Sequence, residues 1–133
     1  IQRTSLFKQN DGDEYDPEFH DGYFFRPAKR AQLLLKNGDI PLGITTLDII
    51  DEKRGVTRGV AVDKNYQGQG YGKILGKLVQ DFARAQGIEI LCVNADIEKR
   101  EYYKKLGFQE ENWDLSEWDG LLPDHVVQMI CKL

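Results

Sequence analysis

The spacing of apolar residues along the chain changes period between strand-like and helix-like stretches. Gln32 to Lys36 is predicted as one strand and Pro41 to Ile50 as a second. Asn37-Gly38 between them reads as a hairpin turn, because this pair supplies the positive φ angles tight hairpins require. Asp51 to Gly55 is a second polar turn. Val56 to Val62, β-branched at 56, 57, 60 and 62, is a third strand, and the three form an antiparallel meander. The period then lengthens. Ile74, Leu75, Leu78, Val79, Phe82 and Ala83 recur at helical spacing and give one apolar face, and Gly87 closes that helix. Ile88 to Val93 reads as a buried strand. Asp96 stands where it can cap a second helix through Leu106, which Gly107 ends. Phe108 starts another strand, and Val126 to Ile130 is the last. Residues 10–22 are acidic, carry Gly12, Pro17 and Gly22, and show no period, so they read as loop with one short helical turn.

Strand, loop, helix and strand from 56 to 93 predict a parallel pair with a crossover helix, set beside the meander. A chain of 133 residues fits one domain over 1–133. No apolar run approaches the ~20 residues of a membrane helix, so no membrane partner is expected. Ile1 to Leu6 lacks the apolar core of a signal peptide. Cys92 and Cys131 are the only cysteines and lie far apart, which argues against a disulfide scaffold or a zinc site. That usage fits a reducing, cytoplasmic setting.

The net charge of −4 is unevenly spread. Residues 1–24 carry six acids and two bases, residues 107–133 six acids and one base, and residues 25–106 ten acids and fifteen bases. A basic middle suits a centrally held anionic ligand; an ordinary solvated mixed surface accounts for the same numbers. No basic stripe with interleaved aromatics supports nucleic-acid binding.

The chemistry concentrates in Gln67-Gly68-Gln69-Gly70-Tyr71-Gly72-Lys73, which follows a strand and opens a helix. Glycines let backbone N–H groups approach a ligand closely, and the first turn of a helix leaves N–H groups unpaired at its positive end. Together they suit a phosphate. A P-loop would need glycine at Gln67 and Ser or Thr at Ile74. A dinucleotide fingerprint would need glycine at Lys73 or Leu75.

The pattern that fits is Gln/Arg-x-x-Gly-x-Gly, here Gln67, Gly70 and Gly72, preceded by Val60-Ala61-Val62-Asp63-Lys64-Asn65-Tyr66. It closely resembles motif A of the GNAT superfamily of N-acetyltransferases. Tyr102-Tyr103-Lys104-Lys105-Leu106-Gly107-Phe108 resembles the same family's motif B. The resemblance covers about residues 31–109, with 1–30 poorly matched. It implies an α+β fold: a mixed, mostly antiparallel sheet of six or seven strands, a splayed parallel pair and flanking helices. The implied function is direct acetyl transfer from acetyl-CoA to an amine acceptor, small molecule or peptide, without a metal. A non-catalytic acyl-CoA sensor or interaction module is the alternative. Monomer and homodimer stay open.

Carried over residue by residue, the resemblance gives Val60, Ala61 and Val62 to the pantetheine arm and the acetyl carbonyl. Gln67, Gly68, Gln69, Gly70, Tyr71, Gly72 and Lys73 go to the pyrophosphate. Asp96 falls where many relatives hold the cofactor arm with Asn, and a plain helix cap is the competing role. Tyr103 takes the position of the general acid that protonates the departing CoA thiolate; packing of the helix onto the sheet competes for it, and for Tyr102 equally. No carboxylate lies on 56–62, which leaves Asp48, Asp51, His20, Asp21 or a water relay as the base. Trp113 and Trp118, with Asp114, Glu117 and Asp119, form either an acidic, aromatic acceptor wall or a surface loop pinned by two apolar anchors.

Overall fold

In the computed structural model the described residues are 4–8 and 29–133. The loop expected at 10–22 lies outside them. The strands are β1 (Thr4–Lys8), β2 (Lys29–Asn37), β3 (Ile40–Ile49), β4 (Arg54–Val62), β5 (Ile90–Asp96), β6 (Gln109–Glu110) and β7 (Val126–Lys132). They join one sheet in the order β1-β2-β3-β4-β5-β7-β6, and every pairing is antiparallel except β4 with β5. The meander and the parallel pair therefore form as the sequence predicts. β1 is an addition, pairing Thr4 to Lys8 against Asn37 to Leu33. No periodic signal reached those five residues, and tertiary pairing makes the strand.

Helix α1 (Tyr71–Ala85) crosses from β4 to β5 and buries Leu75, Val79 and Ala83. Alternation along each strand splits the sheet into two faces. Leu33, Leu35, Leu47, Leu91, Val93 and Met129 point to the α1 side and join its core. Val56, Cys92 and Ile130 point the other way and pack with Ile50, Ile90 and Trp113.

The second helix departs from expectation. Asp96 is the last residue of β5, and it caps a 3-10 turn, Ile97–Lys99, by accepting the Glu98 N–H at 2.9 Å. The α-helix, α2, is only Arg100–Lys105. The strand after Phe108 shortens to two residues, whereas β5 and β7 run longer than predicted. Antiparallel pairing from Ile90↔Lys132 to Asp96↔Val126 extends those two strands through polar positions that periodicity alone leaves as loop.

Candidate active site

The parallel ladder between β4 and β5 runs from Arg54↔Ile90 to Thr57↔Val93 and then stops, although both strands continue. The divergence starts at a β-bulge. Thr45 pairs with Val60 and Thr46 with Arg58, so Gly59 is an extra residue on β4, at φ +77°. A bulge of this kind bends its strand away from its neighbour. The result is a cleft of about 770 Å³, walled by Val60, Ala61 and Val62 on one side and Asn94, Ala95 and Asp96 on the other.

The glycine loop closes one end of the cleft. Gly68 and Gly70 both have positive φ, +78° and +85°, which L side chains adopt only under strain. Gly70 is the N-cap of α1 and supplies no side-chain cap, and no acidic residue sits in the first turn. The positive end of the helix therefore faces the cleft without a side-chain cap. Gln67 turns back and donates its side-chain amide to the Val62 carbonyl at 3.0 Å. Its side chain braces the loop against β4 and occupies the carbonyl expected to meet the pantetheine arm.

Of the residues expected to hold the cofactor, Val60, Ala61, Val62, Gln67, Gly68, Gly70, Tyr71, Gly72 and Asp96 line the cleft, as does Tyr103. Gln69 and Lys73 do not. Lys73 is exposed on the first turn of α1. The cation in the cleft wall is instead Lys99, which the sequence reading missed. It ends the 3-10 turn that Asp96 caps, and no spacing in the sequence pointed to it.

The paired tyrosines divide their duties. Tyr102 donates its hydroxyl to the Gly72 carbonyl at 2.6 Å, tying α2 to the first turn of α1. Gly76 permits that approach, since a Cβ there would stand 2.9 Å from the Tyr102 oxygen and 2.6 Å from Leu106. Tyr103 is buried, stacks edge-on with Tyr102 and Phe108, and among the described residues its hydroxyl makes no hydrogen bond. Burial pushes its phenol up to about 12, so it stays protonated across the neutral range.

Two of the candidate bases are removed by their surroundings. Asp48 is fully buried, and both its oxygens are taken: Arg30 donates at 2.5 and 2.7 Å, and Arg58 at 3.1 Å. Asp51 sits in the β3–β4 turn, at the opposite end of β4 from the cleft, where Arg54 and nearby N–H groups hold its carboxyl below the usual range. His20 and Asp21 lie outside the described residues.

Neither tryptophan lines the cleft. Trp113 packs on the second sheet face and donates its indole N–H to the Val93 carbonyl at 3.1 Å. Trp118 donates to Asn94 Oδ1 at 3.2 Å. Gln128, almost fully buried, joins the two by donating to Asn94 at 2.9 Å and accepting the Trp113 backbone N–H at 2.8 Å. Asp114 spends its carboxylate on Ser116. The described contacts match a pinned loop, with polar pins, rather than an open acidic wall. Among the described residues no group of three or more His, Cys, Asp and Glu is arranged to hold a metal ion. No helix among them is long and apolar enough to cross a membrane.

Comparison with known families agrees with this geometry. The family model described as "Acetyltransferase (GNAT) family" matches residues 2–108. The chain belongs to the GNAT acetyltransferase family. The match starts near the beginning of the chain and so takes in the segment that looked poorly matched. No curated protein sequence matches the chain. Among solved structures, it is similar to a GNAT family acetyltransferase from Elizabethkingia anophelis with acetyl-CoA bound, at TM-score 0.72 and 16% identity, covering 98% of each chain. It is also similar to a Bacillus subtilis acetyltransferase in complex with CoA, at TM-score 0.71 and 20% identity, over 100% of this chain and 99% of that one. A third is the ribosomal-protein-S18-alanine N-acetyltransferase from Escherichia coli, at TM-score 0.69 and 14% identity, over 98% and 94%. At these identities the likeness is one of fold, and GNAT membership rests on the family model.

Proposed function

We propose that the protein holds acetyl-CoA in the splayed cleft and transfers the acetyl group directly to an amine. The observation that carries the reading is the juxtaposition of an uncapped helix N-terminus, opened by left-handed Gly68 and Gly70, with the gap where β4 leaves β5. The loop and first-turn N–H groups bind the pyrophosphate, Lys99 adds positive charge, and the β4 edge at Val60 to Val62 runs beside the pantetheine arm. The solved relatives bound to acetyl-CoA and CoA support this choice of cofactor. The structural neighbour named as a ribosomal-protein-S18-alanine N-acetyltransferase supports an amine as acceptor.

In the reaction, the neutral amine attacks the thioester carbon, the tetrahedral intermediate collapses, and the C–S bond breaks toward the CoA sulfur. Tyr103 is the general acid at that sulfur. A phenol at about 12 is a weaker acid than a thiol of ~8.5, so its aid is greatest as a hydrogen bond that strengthens while the thiolate forms. With Asp48 sealed and Asp51 remote, the amine proton is left to a water relay or to His20 or Asp21. A reducing, cytoplasmic setting completes the reading, supported by two cysteines that are both buried and unpaired.

The test is release of free CoA thiol from acetyl-CoA with a panel of small amines, peptide N-termini and lysine peptides, run beside direct binding of acetyl-CoA. Transfer to an amine bears the reading out. Tight binding without CoA release from any acceptor would replace it with a binding module.

A further inference from the structure

We propose that Thr45, which does not line the cleft, is a positioning residue for acetyl transfer: its hydroxyl holds the β4 bulge so that the Val60 N–H is aimed at the acetyl carbonyl. The inference rests on the cofactor reading above. Thr45 lies on β3 and is almost completely buried. Its Oγ1 donates to the carbonyl of Gly59, the extra residue of the bulge, and lies 3.2 Å from Thr57 Oγ1, itself buried.

The geometry follows from the peptide unit. A bulge breaks the ladder at the inserted residue and leaves the Gly59 carbonyl without a ladder partner, at a place where the buried Thr45 hydroxyl needs an acceptor. Thr45 supplies that partner. The Gly59–Val60 peptide is trans, and in a trans peptide the N–H points opposite to the C=O. With the carbonyl held toward Thr45, the Val60 N–H is turned away from it. Gly59 and Val60 are both in the wall of the cleft, immediately beyond the last β4–β5 pair at Thr57. The hydroxyl behind the strand thus sets the direction of a donor in front of it. Glycine at 59 accepts the φ of +77°, but it does not choose which way the peptide faces.

The experiment compares wild type with Thr45→Val, which keeps the shape and loses the donor, and Thr45→Ser, which restores it. Two ligands are measured by calorimetry: acetyl-CoA, and ethyl-CoA, the thioether in which the carbonyl is replaced by methylene. Wild type and Thr45→Ser should bind acetyl-CoA more tightly than ethyl-CoA. Thr45→Val should lose that preference while its ethyl-CoA affinity is kept. With a good amine acceptor, kcat of Thr45→Val should fall about tenfold or more, toward the ~10²-fold that a 1 Å misplacement costs, with Thr45→Ser within about threefold of wild type. A merely structural threonine would lower thermal stability and leave the ligand preference intact. If Thr45→Val does not fold, Thr45→Cys, a weaker donor of similar size, gives the same comparison. Wild-type preference that survives in the folded variant overturns the inference alone. A wild type that binds neither ligand overturns the cofactor reading and the inference with it.

Discussion

The Tyr102 hydroxyl donates to the Gly72 carbonyl at 2.6 Å, so motif B reaches across and grips the helix turn that motif A builds. A half-buried hydrogen bond of this sort contributes about 0.5–1.5 kcal/mol net. Tyr102→Phe should lower unfolding free energy on that scale and raise KM for acetyl-CoA, because the first turn of α1 loses its brace. Its kcat at saturating cofactor should hold. Urea denaturation and initial rates check both halves; a kcat loss as large as that of Tyr103→Phe would move Tyr102 into the chemistry.

Tyr103→Phe should do the reverse. The ring keeps its edge-on packing with Tyr102 and Phe108, and only the donor is lost. General acid catalysis is typically worth ~10²–10⁴-fold, so kcat should drop on that scale with acetyl-CoA affinity unchanged. Since the phenol stays protonated up to about 12, wild-type rates should rise with pH as the acceptor amine deprotonates, with no alkaline fall from Tyr103 below that point. A variant whose turnover stays within about threefold of wild type would leave Tyr103 with packing alone.

The same shift governs alkaline stability. The folded-state pKa of Tyr103 is raised, by burial, from 10.0 to about 12, and that of Cys92 from 9.0 to about 12. The unfolded chain therefore loses these protons first. The contribution is fully present below about pH 9, where neither state ionises, and is lost as pH climbs toward about 12. Chemical denaturation at several pH values should show stability falling through that window, and Cys92→Ala should reduce the part that begins near 9 without removing it, because burial also raises the Cys131 thiol.

Gly70 and Gly72 should respond differently to substitution. Gly70 sits at φ +85°, so even Ala there is strained. Gly72 has no such constraint, and a Cβ would meet Tyr102 Cε1 at 3.6 Å, an ordinary contact. Gly72→Ala should fold and keep measurable CoA affinity, whereas Gly72→Glu should fold and lose it, because a carboxylate would face the pyrophosphate. Calorimetric affinity of Gly72→Glu equal to wild type would take the first turn of α1 out of the phosphate site.

Asp48 is the keystone of a buried charge cluster rather than a base. Asp48→Asn would leave Arg30 and Arg58 without their shared carboxylate in a site that is nearly sealed. Breaking a buried pair from one side typically costs about 3–5 kcal/mol. Urea denaturation should show a loss of that order; a cost below about 1 kcal/mol would mean that the two guanidiniums repartner without it.

How much of this was legible beforehand depends on the range of the interaction. Local physics wrote a hairpin after β2, the apolar stripe of α1 and the glycine turn at 68–72; the helix and the glycine turn stand where the sequence puts them, whereas the hairpin turn falls one residue later, at Gly38-Asp39, because Asn37 pairs with Ile40 as the end of β2. Tyr103 was equally legible as a cleft residue, although the sequence alone left it sharing its packing role with Tyr102. What the chain's order could not reveal depends on partners distant in sequence. β1 exists because Leu33 to Asn37 offer it an edge. Asp48 looked like a free carboxylate until Arg30 and Arg58, one on each neighbouring strand, closed over it. Lys99 lines the cleft from the end of a 3-10 turn that stands where a helix start was expected. The tryptophans turned inward because Asn94 and Gln128, paired across β5 and β7, supply acceptors and donors that no spacing rule announces. Periodicity and turn chemistry are properties of neighbours along the chain, so the sequence by itself determined the elements and the phosphate loop. Which polar side chains are spent on structure and which remain for chemistry is decided only when strands far apart in sequence meet.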